Sequence, residues 1–255
     1  MKTHAVSPLN TIGNLLIAGS IAVLIPYTIL TIIFDYPNIL RQEPGVILTR
    51  FYEGGPQLIA VWWTFAITGL LLLIAYLKLG QYFENQHTSV RWATTIGIIS
   101  GIAQIIGLLR WTFVVPVLAD RYVHSADPAV RESIGVIFQA VHQFGGVLLG
   151  EHIGQLFTVI WTVVMARVFD QLRVFPRWVA VFGYVASGIY LLAQTELFAT
   201  VIPTFPVFDL AGFIGSTLWL VWLVLIGVKF RRLKVISQSL AENKESYTAF
   251  FSAKL

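Results

Sequence analysis

The sequence predicts an all-α polytopic membrane protein with six transmembrane helices. Three observations carry this. Of 255 residues, 56% are apolar and only 12% charged, about half the charge of an ordinary soluble domain. The mean hydropathy is +0.76. Long apolar runs recur six times along the chain, each close to the ~20 residues needed to cross a bilayer. A soluble fold of this length could not hide so much apolar surface. The same figures exclude a disordered chain and a nucleic-acid binder. The chain contains no cysteine, which removes disulfides, thiolate metal sites and iron–sulfur clusters.

The spans read as Ile12–Phe34, Gln57–Leu77, Ala93–Leu118, Val147–Val168, Val179–Ala199 and Leu210–Val228. The first is too long for a signal-peptide core and lacks a small-residue cleavage site, so it reads as a retained helix. The loops are short, so residues 1–255 form one six-helix domain ending in a short basic tail, 229–255. Between the third and fourth spans, Ser125-Ala126-Asp127-Pro128 is a helix start, with a capping side chain and an early proline. From Val130 apolar residues recur at Ile134, Ile137, Phe138, Val141 and Phe144, one face of an amphipathic helix. Whether 128–168 forms one helix or two stays open at this level. On a continuous helix, His142 falls with the polar residues Arg131 and Gln139 and reads as solvated.

Orientation follows from Lys and Arg. Twelve of these lie on one side: Lys2, Lys78, Arg91, Arg167, Arg173, Arg177, Lys229, Arg231, Arg232, Lys234, Lys244 and Lys254. Only Arg41, Arg50, Arg121 and Arg131 lie on the other. Both termini are therefore expected in the cytoplasm. The net charge of +4 is a topology signal with a weak pull on anionic headgroups, and no nucleic-acid partner is expected. Acids gather on the outer side, from Asp35, Glu43 and Glu53 to Glu196 and Asp209.

A repeat is visible. Glu53, Gln57, Leu58, Val61, Trp63 and Thr64 match Glu151, Gln155, Leu156, Val159, Trp161 and Thr162 without a gap, and Asp209 stands before Trp219 at the same Glu-to-Trp spacing. This predicts three helical hairpins repeated in parallel topology, with Glu53, Glu151 and Asp209 at matching depth around one axis.

Ionisable groups inside hydrocarbon cost at least ~2.5–3.5 kcal/mol each, so each needs a partner or a use. Arg110 lies well inside the third span, and Glu151 and His152 lie at similar depth in the fourth. The expected partner of Arg110 is Glu151, with Glu53 in reserve. Gly146, Gly150 and Gly154 form a stripe for close helix approach. The candidate ligand-binding residues are Arg110, Glu151, His152, Gln155, Glu53 and Gln57, with His152 best suited to proton chemistry near neutrality.

Named chemistries drop out. Glu151-His152 fits neither HExxH nor its inverse, because position 148 is Leu. His142 and His152 share one segment, which does not suit a b-type haem between facing helices. No P-loop, GxSxG elbow or mid-membrane Lys is present. No metal or cofactor is expected, and no catalytic residue can be assigned.

Phe175-Pro176-Arg177-Trp178-Val179 through Gly183, the closing span from Asp209 to Arg232, Arg110-Trp111 through Pro116-Val117-Leu118-Ala119, and Gly150-Glu151-His152 together resemble bacterial membrane proteins catalogued as domain of unknown function 4386. The resemblance covers nearly the whole chain. It implies a six-helix, multi-pass protein of a bacterial cytoplasmic membrane and carries no activity or functional residue. Three function classes stand beside each other. The polar residues form a site for a small polar or amphipathic ligand, or they lock the helices of an auxiliary subunit, or Glu151 or His152 serves as acid/base in an enzyme acting on a lipid or isoprenoid.

Overall fold

The computed structural model describes the backbone of residues 8–252 and the side chains of residues 8–233. Lys2 and the side chains of Lys234, Lys244 and Lys254, part of the charge count above, lie outside the described residues. Everything regular in the described chain is helical. Six helices are long and apolar enough to cross a membrane: Pro8–Phe34, Pro44–Phe83, Ser89–His124, Pro128–Gln171, Arg177–Ala199 and Ala211–Leu233. Each contains or closely matches one span read from the sequence.

Helix α1 (Pro8–Phe34) ends in a short loop with a 3-10 turn over Asn38–Arg41. Helix α2 (Pro44–Phe83) is bent at Gly55, whose φ of 56° and ψ of −155° suit a residue without Cβ. Pro56 follows and cannot donate to the preceding turn. The third span divides into α3 (Ser89–Phe113) and α4 (Val115–His124), with Pro116 at the break. The start at Asp127 forms as expected, with its side chain accepting from the Ala129 amide at 2.9 Å. From there α5 (Pro128–Val141), a π-helical stretch (His142–Ile153) and α6 (Gly154–Gln171) run on without interruption, so 128–171 is one helix. Helices α7 (Arg177–Leu192), α8 (Gln194–Ala199) and α9 (Ala211–Ser252) complete the chain.

The spanning helices form a ring closed in chain order. Helix α1 packs on α2 and α9, α2 on α3, α3 on α6, α6 on α7, and α7 on α9. At one end, the second helices of the three hairpins meet in the middle. Phe83, Phe169 and Phe230 form a triangle with ring centroids 5.7, 5.8 and 6.0 Å apart. One layer deeper, Trp161 stands edge-on to Trp222 and 4.1 Å from the Tyr76 ring. At the Arg41 end a second aromatic cluster lies to one side, with Trp62 stacked on Trp111 at 4.8 Å among Phe34, Phe51 and Phe138. The opposite side of that end, where α6, α7 and α8 meet, holds polar groups.

The hairpin arrangement is thus present in the packing, but the matched residues do not occupy equivalent places. Trp161 is buried at 1% exposure, whereas its sequence match Trp63 is 48% exposed. Counting back from the phenylalanine triangle gives the reason. Glu151 precedes Phe169 by 18 residues and Asp209 precedes Phe230 by 21, but Glu53 precedes Phe83 by 30. Helix α2 carries an extra segment, Pro44–Gly54, beyond its bend. Glu53 therefore does not share the depth expected for it.

Candidate functional site

The geometry starts with the glycine stripe. A Cβ built on Gly107 would stand 2.7 Å from Gly150 Cα, so the backbones of α3 and the π-helical stretch touch there. On either side, Gly146 faces the Arg110 guanidinium and Gly154 faces Gln104. Pairs at 146/110, 150/107 and 154/104 make one antiparallel seam. Around Gly154 the seam is polar. Ser100 Oγ donates to the Gly154 carbonyl at 2.7 Å, and Gln104 Nε2 donates to Ser100 and Thr158 at 3.1 Å each.

The π-helical stretch explains how a four-residue stripe stays on one neighbour. In an α-helix every fourth residue passes a full turn, so such a stripe drifts sideways. With i→i+5 bonds the fourth residue falls short of a turn. The drift accumulated along α5 is undone, and Ile134, Phe138, His142, Gly146, Gly150 and Gly154 all face inward or against the ring.

This overturns the expectation for His142. Its side chain is not solvated: it is 9% exposed, stacked on Phe138 at 5.6 Å and 3.5 Å from Arg110 Nη2. Ile137 and Phe144 point outward, whereas Ile134 and Phe138 of the same apolar face are buried, and the π-helical register brings His142 into line with those two.

Arg110 and Glu151 are not paired either. Among the described residues no carboxylate lies within 4 Å of Arg110. Its guanidinium donates to its own helix at the Gly107 carbonyl and lies over the Trp111 ring at 5.1 Å. Glu151 is taken by Arg41, Nη2 to Oε2 at 3.3 Å, while Arg41 Nε holds Glu196 Oε1 at 2.8 Å. Burial alone would lower the Arg41 pKa, but the two carboxylates outweigh it and the guanidinium is raised above its usual range. Tyr36, in the same loop, is pushed up by burial, by the Glu151 charge and by Tyr27, against the opposing charge of Arg110. The loop therefore supplies the counter-ion that the sequence reading sought in the third span. The signal was available in Arg41, one of only four basic residues on the sparsely basic side.

One step along, His152 Nδ1 lies 2.6 Å from Gln194 Oε1, and Gln194 Nε2 donates to Gln155 Oε1 at 2.9 Å. With the Gln194 amide so committed, His152 Nδ1 is the donor to Gln194 Oε1. Gln194 and Glu196 sit at the start of α8, the turn where the fifth span frays, and sequence reading missed Gln194. Beside them lies an open groove of about 500 Å³, lined by Phe144, Val147, Leu148, Leu197, Phe198 and Val201, with His152 at its edge. Gln143 Nε2 closes one side by donating to Thr200 Oγ1 at 2.9 Å.

Of the six candidate residues, Glu151, His152 and Gln155 thus share one polar cluster with Arg41, Gln194 and Glu196. Arg110 lies apart, against Gly146 and His142. Glu53 and Gln57 are exposed and make no side-chain hydrogen bond or ion pair among the described residues. Also among the described residues, no group of three or more His, Cys, Asp or Glu is placed to hold a metal ion.

In sequence comparison, a family model described as Domain of unknown function (DUF4386) matches residues 11–227. The chain belongs to the DUF4386 family. The match reaches into all six spans and takes in every residue of the polar cluster. No curated protein and no solved structure matches the chain. For this DUF4386 member, function has to be argued from the site itself.

Proposed function

We propose that this protein binds an amphipathic small molecule in the outer half of a bacterial cytoplasmic membrane, with both termini on the inner side. The apolar part lies in the groove of Phe144, Leu148, Leu197 and Phe198. The polar part meets His152 and, through it, the Gln194–Gln155 amides. The observation that carries this reading is the double position of His152. Its ring lines an apolar groove and at the same time ends a hydrogen-bonded chain. A residue placed only to lock helices has no need of the groove, and a groove that merely seats bulk lipid has no need of an ordered polar chain at its rim. Apolar walls with a few convergent polar groups are the usual form of a small-molecule site.

The test is isolation in native nanodiscs, followed by native mass spectrometry, of the wild type, Leu148→Trp and His152→Ala. The expected result is an amphiphile retained by the wild type, lost when Trp fills the groove, and weakened at least tenfold in His152→Ala. A wild type that carries no amphiphile but a stoichiometric protein partner overturns the reading in favour of an auxiliary subunit.

A further inference from the structure

A second, separate site is written into the other face of the π-helical stretch. Arg110 is 8% exposed and keeps its charge even in an apolar setting. It has five N–H donors. One Nη reaches the Gly107 carbonyl and the other stands at the limit of hydrogen bonding from His142 Nδ1, at 3.5 Å. Nε is buried without an acceptor. If His142 Nδ1 accepts from the guanidinium, its proton is on Nε2, and Nε2 is also buried without a partner. Donors therefore outnumber acceptors on both side chains. No carboxylate lies within 4 Å of Arg110 among the described residues, and Glu151 is held by Arg41. The residue facing the guanidinium is Gly146, where any Cβ would overlap it. Trp111 lies under the guanidinium at 5.1 Å and 6.2 Å from the His142 ring.

We infer that Arg110 and His142 form a binding site for a small oxyanion, a phosphate or carboxylate group. Such a group supplies both things the site lacks, a negative charge and several lone pairs, and Arg with a neighbouring N–H is the combination that suits planar or tetrahedral oxyanions. Water would satisfy the donors but not the charge. The group comes either from a free anion or from the headgroup of an anionic lipid.

The experiment uses the full chain in detergent and in nanodiscs. Thermal stability is titrated with sodium phosphate and sodium acetate against sodium chloride at equal ionic strength. The expected result for a free anion is a Tm rise of roughly 5–10 °C at a hundredfold excess over Kd. The rise is absent in Arg110→Gln, partly kept in Arg110→Lys, and intact in Arg41→Gln, which removes the other semi-buried guanidinium. For a lipid source, the free anions are silent, and native mass spectrometry from membranes rich in phosphatidylglycerol finds one anionic lipid per wild-type chain that Arg110→Gln loses. The titration is read in the wild type, so a poorly folded variant does not block it. No response in either arm, or a response unchanged in Arg110→Gln, overturns the inference.

Discussion

Arg41 Nη2 lies 3.3 Å from the Glu151 carboxylate, and the same guanidinium holds Glu196 at 2.8 Å. One side chain from the loop between α1 and α2 thus ties together the fourth and fifth spans, 110 and 155 residues away in the chain. All three partners are partly exposed, so solvent screening limits each pair to about 0.5–1 kcal/mol. A double-mutant cycle with Arg41→Gln and Glu151→Gln should return a coupling of that size, shrinking in 1 M salt. Additive effects would mean that the pair contributes nothing in solution.

Close backbone approach makes the seam intolerant of side chains. Gly107→Val drives a branched side chain into Gly150 and should cost about 1–3 kcal/mol, read as a lower Tm in detergent. Gly188 has nothing within 4 Å of a built Cβ. Gly188→Ala should be neutral or stabilise by up to ~1 kcal/mol through helix propensity.

Trp222 separates packing from hydrogen bonding. Its ring is fully buried and its Nε1 donates to the Val179 carbonyl at 2.9 Å. Trp222→Phe should lose about 1 kcal/mol, and Trp222→Ala about 3–5 kcal/mol from the cavity. Equal losses in the two variants would assign the whole effect to the indole N–H.

Orientation is checked by thiol labelling, since the chain has no native cysteine. A Cys at Asn85, between α2 and α3, should react only with a membrane-permeant reagent, and a Cys at Asn38 or Ser125 should react with an impermeant one. Reversed accessibility would place the His152 groove in the inner half.

The fold was legible where a single physical cause dominates. Hydrocarbon thickness sets span length, so all six helices were readable. The Asp127 cap and the Gly146–Gly150–Gly154 stripe were readable because each depends on local sequence. The site was legible only in part, since partner choice depends on tertiary placement. Arg41 reaches Glu151 because a loop folds back over the ring, and no periodicity reports that. His142 reads as solvated on an ideal α-helix, but the π-helical register, which no local periodicity reports, carries it into line with buried Ile134 and Phe138. Trp63 and Trp161 match in sequence but face differently because Trp63 stands 20 residues before Phe83 and Trp161 only 8 before Phe169, which puts them in different layers.

The π-helical stretch makes the fourth span a screw joint. Tightening His142–Ile153 to α geometry would turn α6 against α5 and lengthen the span, because an α-helix has fewer residues per turn and a greater rise per residue. His152 and Glu151 would move round together, out of the groove and away from Arg41, and Gly150 would slip out of register with Gly107. Such a turn would be felt at the other end as well, because Trp161 and Phe169 of the aromatic layer stand on the same continuous helix.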